Sequence, residues 1–335
     1  IENLILIVYK FHNLDLSSQK KYMVMDVVLM LFGFGLLVIG GEFLVRASVA
    51  LSLKLNVSKM VIGLTVVSFA TSLPELLVSL NAALNGSPSI AINNVVGSNI
   101  ANIGMVLGIT AVMGTIYIDK TFYKFTWPAL IIFSLAFYFF LYNDNKLDAI
   151  EGAVLFLSLI LFVILSLKKP NEINEDNAMD ALSSTSNFKI LIWLSIGGVA
   201  LYFGAKWLVD GAVVIAQNIG VSEAVISVSV IAVGTSIPEL AASVVAILRN
   251  EKAISLGNLI GSNIFNIGSV LGLTAMIKPI VVEDPEILSR DLIWMLVFAA
   301  LLLPLALVLK RHQLKKIEGF LLVFLYGVFI YIVFS

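Results

Sequence analysis

Cysteine is absent from the 335 residues, which excludes a disulfide framework, thiol catalysis and a cysteine metal site. Histidine is nearly absent: His12 and His312 are the only two, both in polar surroundings outside the apolar runs, which argues against an imidazole metal centre. Charge is scarce as well. Asp, Glu, Lys and Arg make up 13% of the chain, against roughly 25% in an average soluble protein. With 59% hydrophobic residues, the composition is that of a polytopic membrane protein whose surroundings are the lipid bilayer. The net charge of −1 is silent on partners, because only the distribution of charge over loops matters in a membrane. Nothing in the composition points to nucleic acid, and no obligate protein partner is evident. The first residues lack the apolar core and small-residue cleavage site of a signal peptide. Residues 1–22 read as an N-terminal extension of non-native origin, with Met23 or Met25 as the expected natural start.

Windows of about 20 apolar residues give ten spans, at 25–50, 57–83, 90–117, 125–142, 147–167, 188–216, 221–248, 254–277, 292–309 and 318–334. The one long polar connection, residues 168–189, carries Glu172, Glu175, Asp176 and Asp180 without apolar periodicity and reads as a linker. It divides the chain into a first five-helix unit, residues 23–167, and a second, residues 190–335. Placing the start of the first span outside collects most Lys and Arg at the cytoplasmic side, among them Arg46, Lys54, Lys59, Arg249 and Lys252. Lys146, Lys278 and Arg290 are left in outer loops. The positive-inside rule then predicts a multi-pass protein of the cell membrane, inner or plasma, with both termini outside.

The chain matches itself at an offset of 164 positions, the separation of Glu75 and Glu239. Thr65–Gly108 aligns with Ser229–Gly272 without a gap, and about half the positions are identical, concentrated on Thr, Ser, Pro, Glu, Asn and Gly. Five spans per unit is an odd number, so the second copy enters the membrane from the opposite side. The fold expected is all-α, with ten transmembrane helices as two inverted five-helix repeats. This is an architecture of secondary transporters that places the binding site near the midplane.

The repeated residues are costly in hydrocarbon unless partnered. In the second span Ser68, Ser72, Glu75 and Ser79 form one helical stripe, with Thr71 beside it. Pro74 has no N–H, so the carbonyl of Ala70 loses its donor and the helix is expected to kink or break. In the seventh span Pro238 does the same for Gly234, beside Thr235, Ser236 and Glu239. Asn94, Ser98 and Asn102 in the third span, and Asn258, Ser262 and Asn266 in the eighth, repeat every four residues. Asn99 and Asn263 face a neighbouring direction and suit either interhelical hydrogen bonding or ion ligation. Oxygen without sulfur or imidazole suits Na⁺, Ca²⁺ or similar hard cations. Two glutamates would neutralise one Ca²⁺ or two Na⁺, and two ions competing for one cage is what exchange requires. Gly104/Gly108 and Gly268/Gly272 have helix-packing spacing. Glu42/Arg46 and Lys206/Asp210 are expected i, i+4 ion pairs with signs exchanged between the repeats.

Thr71-Ser72-Leu73-Pro74-Glu75 with Gly97-Ser98-Asn99-Ile100-Ala101-Asn102, and their copies Thr235-Ser236-Ile237-Pro238-Glu239 and Gly261-Ser262-Asn263-Ile264-Phe265-Asn266, closely resemble the α-repeats of the sodium/calcium exchanger family. The resemblance covers roughly residues 25–334. The related Ca²⁺/H⁺ exchangers carry a different motif around their glutamate. The resemblance implies broken helices at the midplane and alternating access by sliding of the first and sixth helices. It implies Glu75 and Glu239 as central Ca²⁺ ligands shared with Na⁺. Thr71, Thr235 and the backbone carbonyls of Ser68 and Ala232 would complete ion sites, with Ser72, Ser236, Ser98 and Ser262 serving mainly Na⁺. Two departures stand out. Many members carry Asp where this chain has Asn266, so Asn102 and Asn266 are here both amides. Phe69 and Ala70 stand where a smaller aliphatic residue and Gly are common.

The expected function is exchange of Ca²⁺ for Na⁺ by alternating access, with no cofactor beyond the transported ions. The alternatives are Ca²⁺/H⁺ or other monovalent-cation antiport on the same scaffold and, more remotely, an intramembrane hydrolase using the two carboxylates as an acid–base dyad.

Overall fold

The computed structural model describes residues 16–168, 180–218, 234–282, 284–307 and 312–334. Its helices are α1 (Leu16–Leu55), α2 (Lys59–Thr71), α3 (Leu73–Leu84), α4 (Ser89–Met113), α5 (Phe122–Asp144), α6 (Ala149–Leu167), α7 (Asn187–Asn218), α8 (Ile237–Leu248), α9 (Lys252–Ile277), α10 (Ile287–Leu307) and α11 (Lys316–Phe334). The 19 residues of α6 are about 29 Å long at 1.5 Å each, the thickness of a hydrocarbon core. Its start is set by a capping box. Asp148 Oδ1 accepts from the N–H groups of Ile150 and Glu151, and Glu151 Oε2 accepts from Asp148 N–H. Among the described residues eight helices are long and apolar enough to span, and α2 with α3 makes a ninth span bent by 43°. The tenth is represented by α8; residues 219–233, the first half of the expected seventh span, lie outside the described residues. Among the described residues the helix of the first span includes Leu16 to Tyr22.

Four two-residue strands, too short to leave an alternating pattern in the sequence, interlock the repeats. These are β1 (Ile116–Tyr117), β2 (Lys146–Leu147), β3 (Ile280–Val281) and β4 (Gln313–Leu314). β1 pairs antiparallel with β4, Ile116 opposite Leu314, and β2 with β3, Leu147 opposite Ile280. One helix separates β1 from β2 and one separates β3 from β4, so these pairings require the second half to lie upside down relative to the first. The inverted repeat is thus written in the loops as well as in the helices.

Helices also cross over between halves. Gly108 on α4 lies against Gly319 and Val323 of α11, and Gly272 on α9 against Gly152 and Phe156 of α6. The glycine spacings therefore serve helix packing, each central helix being covered by the last helix of the other repeat. The helices α4 and α9 form the core, with 78% and 83% of their apolar windows buried, against 22–39% for the other continuous spans. The pair α1 and α7 packs backbone to backbone at Gly40 against Gly197 and Gly33 against Gly204. Both expected i, i+4 ion pairs form, Arg46 Nε to Glu42 Oε1 at 2.6 Å and Lys206 Nζ to Asp210 Oδ2 at 2.9 Å. Glu42 also binds Arg249, at the end of α8, at 2.7 Å.

Candidate cation site

The two glutamates sit where two spans are interrupted. The residue Ser72 (φ −87°, ψ 3°) leaves helical geometry between α2 and α3, and Ser236 (φ −88°, ψ 2°) precedes α8 in the same conformation. The kink is thus centred on the serine, two residues ahead of the proline. Pro74 and Pro238 lie in the first turn of the following helix, where a missing N–H leaves no bond unmade. Glu75 and Glu239 occupy the same first turns, at the helix end whose dipole favours negative charge. Both are fully buried.

Around Glu239, Ser72 Oγ and Ser262 Oγ each donate to Oε1 at 3.4 Å. Thr71 Oγ1 lies 3.3 Å from Ser262 Oγ and donates to Asn258 Oδ1 at 3.1 Å. The symmetry-related hydroxyls Thr235 and Ser98 are 3.1 Å apart. Asn94 and Asn258 brace the carboxylate helices through Ser79 and Ser243, at 3.1 Å each, and Asn94 also donates to the Glu75 carbonyl. The four-residue stripe signalled these asparagines as polar groups facing the site, and in the structure their amides brace Ser79 and Ser243. Asn99 and Asn263 form interhelical hydrogen bonds, each amide donating to the other's backbone carbonyl. The backbone carbonyl of Ser68 accepts from Ser72 N–H at 2.9 Å, and its hydroxyl donates to the carbonyls of Gly63 and Asn258. Ala232 lies outside the described residues.

Six buried oxygens of the repeated motifs have no hydrogen-bond partner among the described residues: both of Glu75, Oε2 of Glu239, Oγ of Ser236, and Oδ1 of Asn102 and Asn266. The other four such atoms are hydroxyls scattered along α5 and α9. Native interiors rarely leave polar atoms unpaired, and each needs a reason. Carboxylate, amide and hydroxyl oxygens together are the donor set of Ca²⁺, which takes 6–8 oxygen ligands, and of Na⁺.

The two sides of the site differ. Near Glu239 the route is sealed: Gly41 of α1 packs on Ala241 and Val245 of α8 so closely that a Cβ would lie 2.8 Å from Val245, and Ala242 is 2% exposed. Its counterpart Val78 on α3 is 45% exposed. It lines a cavity of about 460 Å³ that reaches Asn94, Ser98 and Thr235 and is flanked by Asp284 and Asp291.

The family model described as sodium/calcium exchanger protein matches residues 25–168 and 189–335. The putative antiporter CaxA of Alkalimonas amylolytica is 36% identical over 320 residues, covering 93% of this chain and all of that protein. The sodium/calcium exchanger MaX1 of Methanosarcina acetivorans is 28% identical, covering 92% and 98%. The sodium-calcium exchanger NCX_Mj, in a structure soaked with zero Na⁺ and Ca²⁺, superposes with a TM-score of 0.79 at 32% identity over 92% of this chain and 98% of that one. The chain belongs to the sodium/calcium exchanger family.

Proposed function

We propose that this protein exchanges Ca²⁺ for Na⁺ at one oxygen cage, by alternating access. The family makes it a Ca²⁺/cation transporter and not an enzyme, which removes the hydrolase reading. The single observation that carries the proposal is the group of six unpartnered oxygens on Glu75, Glu239, Ser236, Asn102 and Asn266. In this reading Glu75 and Glu239 bracket Ca²⁺, with the amide oxygens of Asn102 and Asn266 beside them. The hydroxyl pairs Thr71–Ser262 and Thr235–Ser98, with Ser72 and Ser236, flank that centre and serve Na⁺. The Ser68 carbonyl extends the flank of Thr71 and Ser262. Sharing the carboxylates makes the ions competitors, so release of one is coupled to binding of the other. An amide at position 266 has no titrating proton, which favours Na⁺ over H⁺ as the counter-ion.

The test is flux in sealed vesicles containing the purified protein. An outward Na⁺ gradient drives ⁴⁵Ca²⁺ uptake, and replacing internal Na⁺ by choline stops it. Uptake that ignores Na⁺ and follows a pH gradient overturns the sodium assignment.

The unequal sides of the site support reading this conformation as open on the side of β2 and β3 and closed on the side of β1 and β4. The distribution of Lys and Arg makes the open side the extracellular one, with both termini there. The cysteine-free chain suits a direct check. A polar thiol reagent is expected to modify Val78→Cys at least tenfold faster than Ala242→Cys. Equal rates contradict the assignment of an open and a closed side.

A further inference from the structure

The asparagines between the half-sites form one connected chain, and its ends fix every amide orientation in it. A backbone carbonyl only accepts, so the atom of Asn99 that reaches the Asn263 carbonyl at 3.2 Å is Nδ2. Asn99 Oδ1 therefore faces the other way, 3.1 Å from the side chain of Asn266, which must present Nδ2. That turns Asn266 Oδ1 away, buried and without a donor. The mirror chain runs from the Asn99 carbonyl through Asn263 Nδ2 at 3.1 Å, then Asn263 Oδ1 to Asn102 Nδ2 at 3.1 Å, leaving Asn102 Oδ1 equally bare. Flipping Asn99 would set two acceptors 3.2 Å apart at one end and two donors together at the other. The second N–H of Asn99 points to Met295 Sδ at 3.8 Å, a contact too weak to choose the orientation. Asn99 and Asn263 are 1% exposed, and Asn102 and Asn266 not at all, so water does not compete for these groups.

We propose that Asn99 and Asn263 are positioning residues that aim the side-chain oxygens of Asn266 and Asn102, respectively, into the cation site. The control is crosswise: each repeat orients a ligand carried by the other. It rests on the reading of Asn102 and Asn266 as cation ligands. Removing the Asn99 side chain leaves its backbone carbonyl, so Asn263, and through it Asn102, stays held while Asn266 is freed to rotate. Residues that orient metal ligands typically change affinity 10–100-fold when lost.

The experiment is a pair of double-mutant cycles read as Ca²⁺ dissociation constants of the full chain in lipid nanodiscs, with the thermal unfolding midpoint as a check on folding. Asn99→Leu is expected to weaken Ca²⁺ binding about tenfold in the native background. The same substitution should still cost about tenfold in an Asn102→Ala background and less than twofold once Asn266→Ala is present. Equal losses in both backgrounds would mean that Asn99 merely supports packing, and would overturn the positioning role while leaving the cation site intact. If Asn102→Ala and Asn266→Ala themselves leave Ca²⁺ affinity unchanged, the amides are not ligands, and the site reading falls together with this proposal. Should Asn99→Leu not fold, Asn99→Ser is too short to reach Asn266 and carries the same cycles.

Discussion

Glutamine at position 75 or 239 is expected to abolish Ca²⁺/Na⁺ exchange and to lower Ca²⁺ affinity at least a hundredfold without unfolding the protein. Three of the four carboxylate oxygens have no hydrogen-bond partner among the described residues, and the fourth receives long hydroxyl bonds of 3.4 Å from Ser72 and Ser262. None of the ion pairs among the described residues involves either glutamate. In the proposed exchange the cation is the partner their charge would meet. At an effective dielectric of about 20, unit charges about 4 Å apart interact by about 4 kcal/mol, and a divalent ion doubles this. Desolvation of the ion takes back much of that gain, but about 3 kcal/mol net already exceeds a hundredfold in affinity. The stability of the ion-free protein should move the other way. Removing an uncompensated buried charge while keeping side-chain volume raises its unfolding midpoint or leaves it unchanged. Saturating Ca²⁺, which stabilises the native protein by about 2.7 kcal/mol at a hundred times its dissociation constant, should no longer shift the midpoint of either variant. Thermal unfolding with and without 1 mM Ca²⁺ separates the two effects. A variant that is destabilised without the ion yet still shifted by Ca²⁺ would mean that the glutamate is a packing residue.

The architecture was legible because membrane spans and an inverted repeat leave long-range marks: runs of about 20 apolar residues and an identical hydroxyl–proline–glutamate pattern 164 positions apart. The candidate site was suggested for the same reason, since Glu75, Ser98 and Asn102 recur as Glu239, Ser262 and Asn266. Local geometry was less so. Pro74 is the visible helix breaker, yet the break falls at Ser72, because a helix tolerates proline in its first turn and the chain restarts one residue before it. The ribbons β1–β4 and β2–β3 left no trace, two residues being too few for alternation. The hydrogen bonds of Asn99, Asn102, Asn263 and Asn266 are made to partners about 160 residues away, which periodicity within one helix does not encode. The stripe shows Asn94 and Asn258 only as polar groups on one helix face; that their amides brace Ser79 and Ser243 is seen only in the fold. For Asn99 the choice between ligation and hydrogen bonding was decided only by Asn263 facing it.

Gly257→Ala is expected to be among the most damaging single-methyl changes at the described residues. The added Cβ would run into the Met60 carbonyl and lie 3.0 Å from Leu64 N and 3.1 Å from Gly63 Cα, all backbone atoms that no rotamer change moves. One turn on, the space at Gly261 is filled by Ser68 Oγ and the Leu64 carbonyl. Helices α2 and α9 thus touch along their backbones, and this contact sets the distances that build the second half-site. It seats the Ser68 hydroxyl on the Asn258 carbonyl at 2.9 Å and Thr71 Oγ1 on Asn258 Oδ1 at 3.1 Å. Restoring an ordinary contact distance at Cβ requires the helices to separate by about 0.5–1 Å. Overpacking of this kind costs about 1–3 kcal/mol. A binding constellation needs its groups within about 0.5 Å of their working positions, so exchange should fall at least tenfold even in protein that remains folded. Gly327→Ala on α11 is the matched control, since its Cβ would meet nothing within 4 Å among the described residues. There alanine only improves helix propensity, by up to about 1 kcal/mol. The comparison is made on monodisperse yield after a heat step and on initial rates of Na⁺-driven Ca²⁺ uptake. If Gly257→Ala matches Gly327→Ala in both, the close approach of α2 and α9 does not hold the site in register.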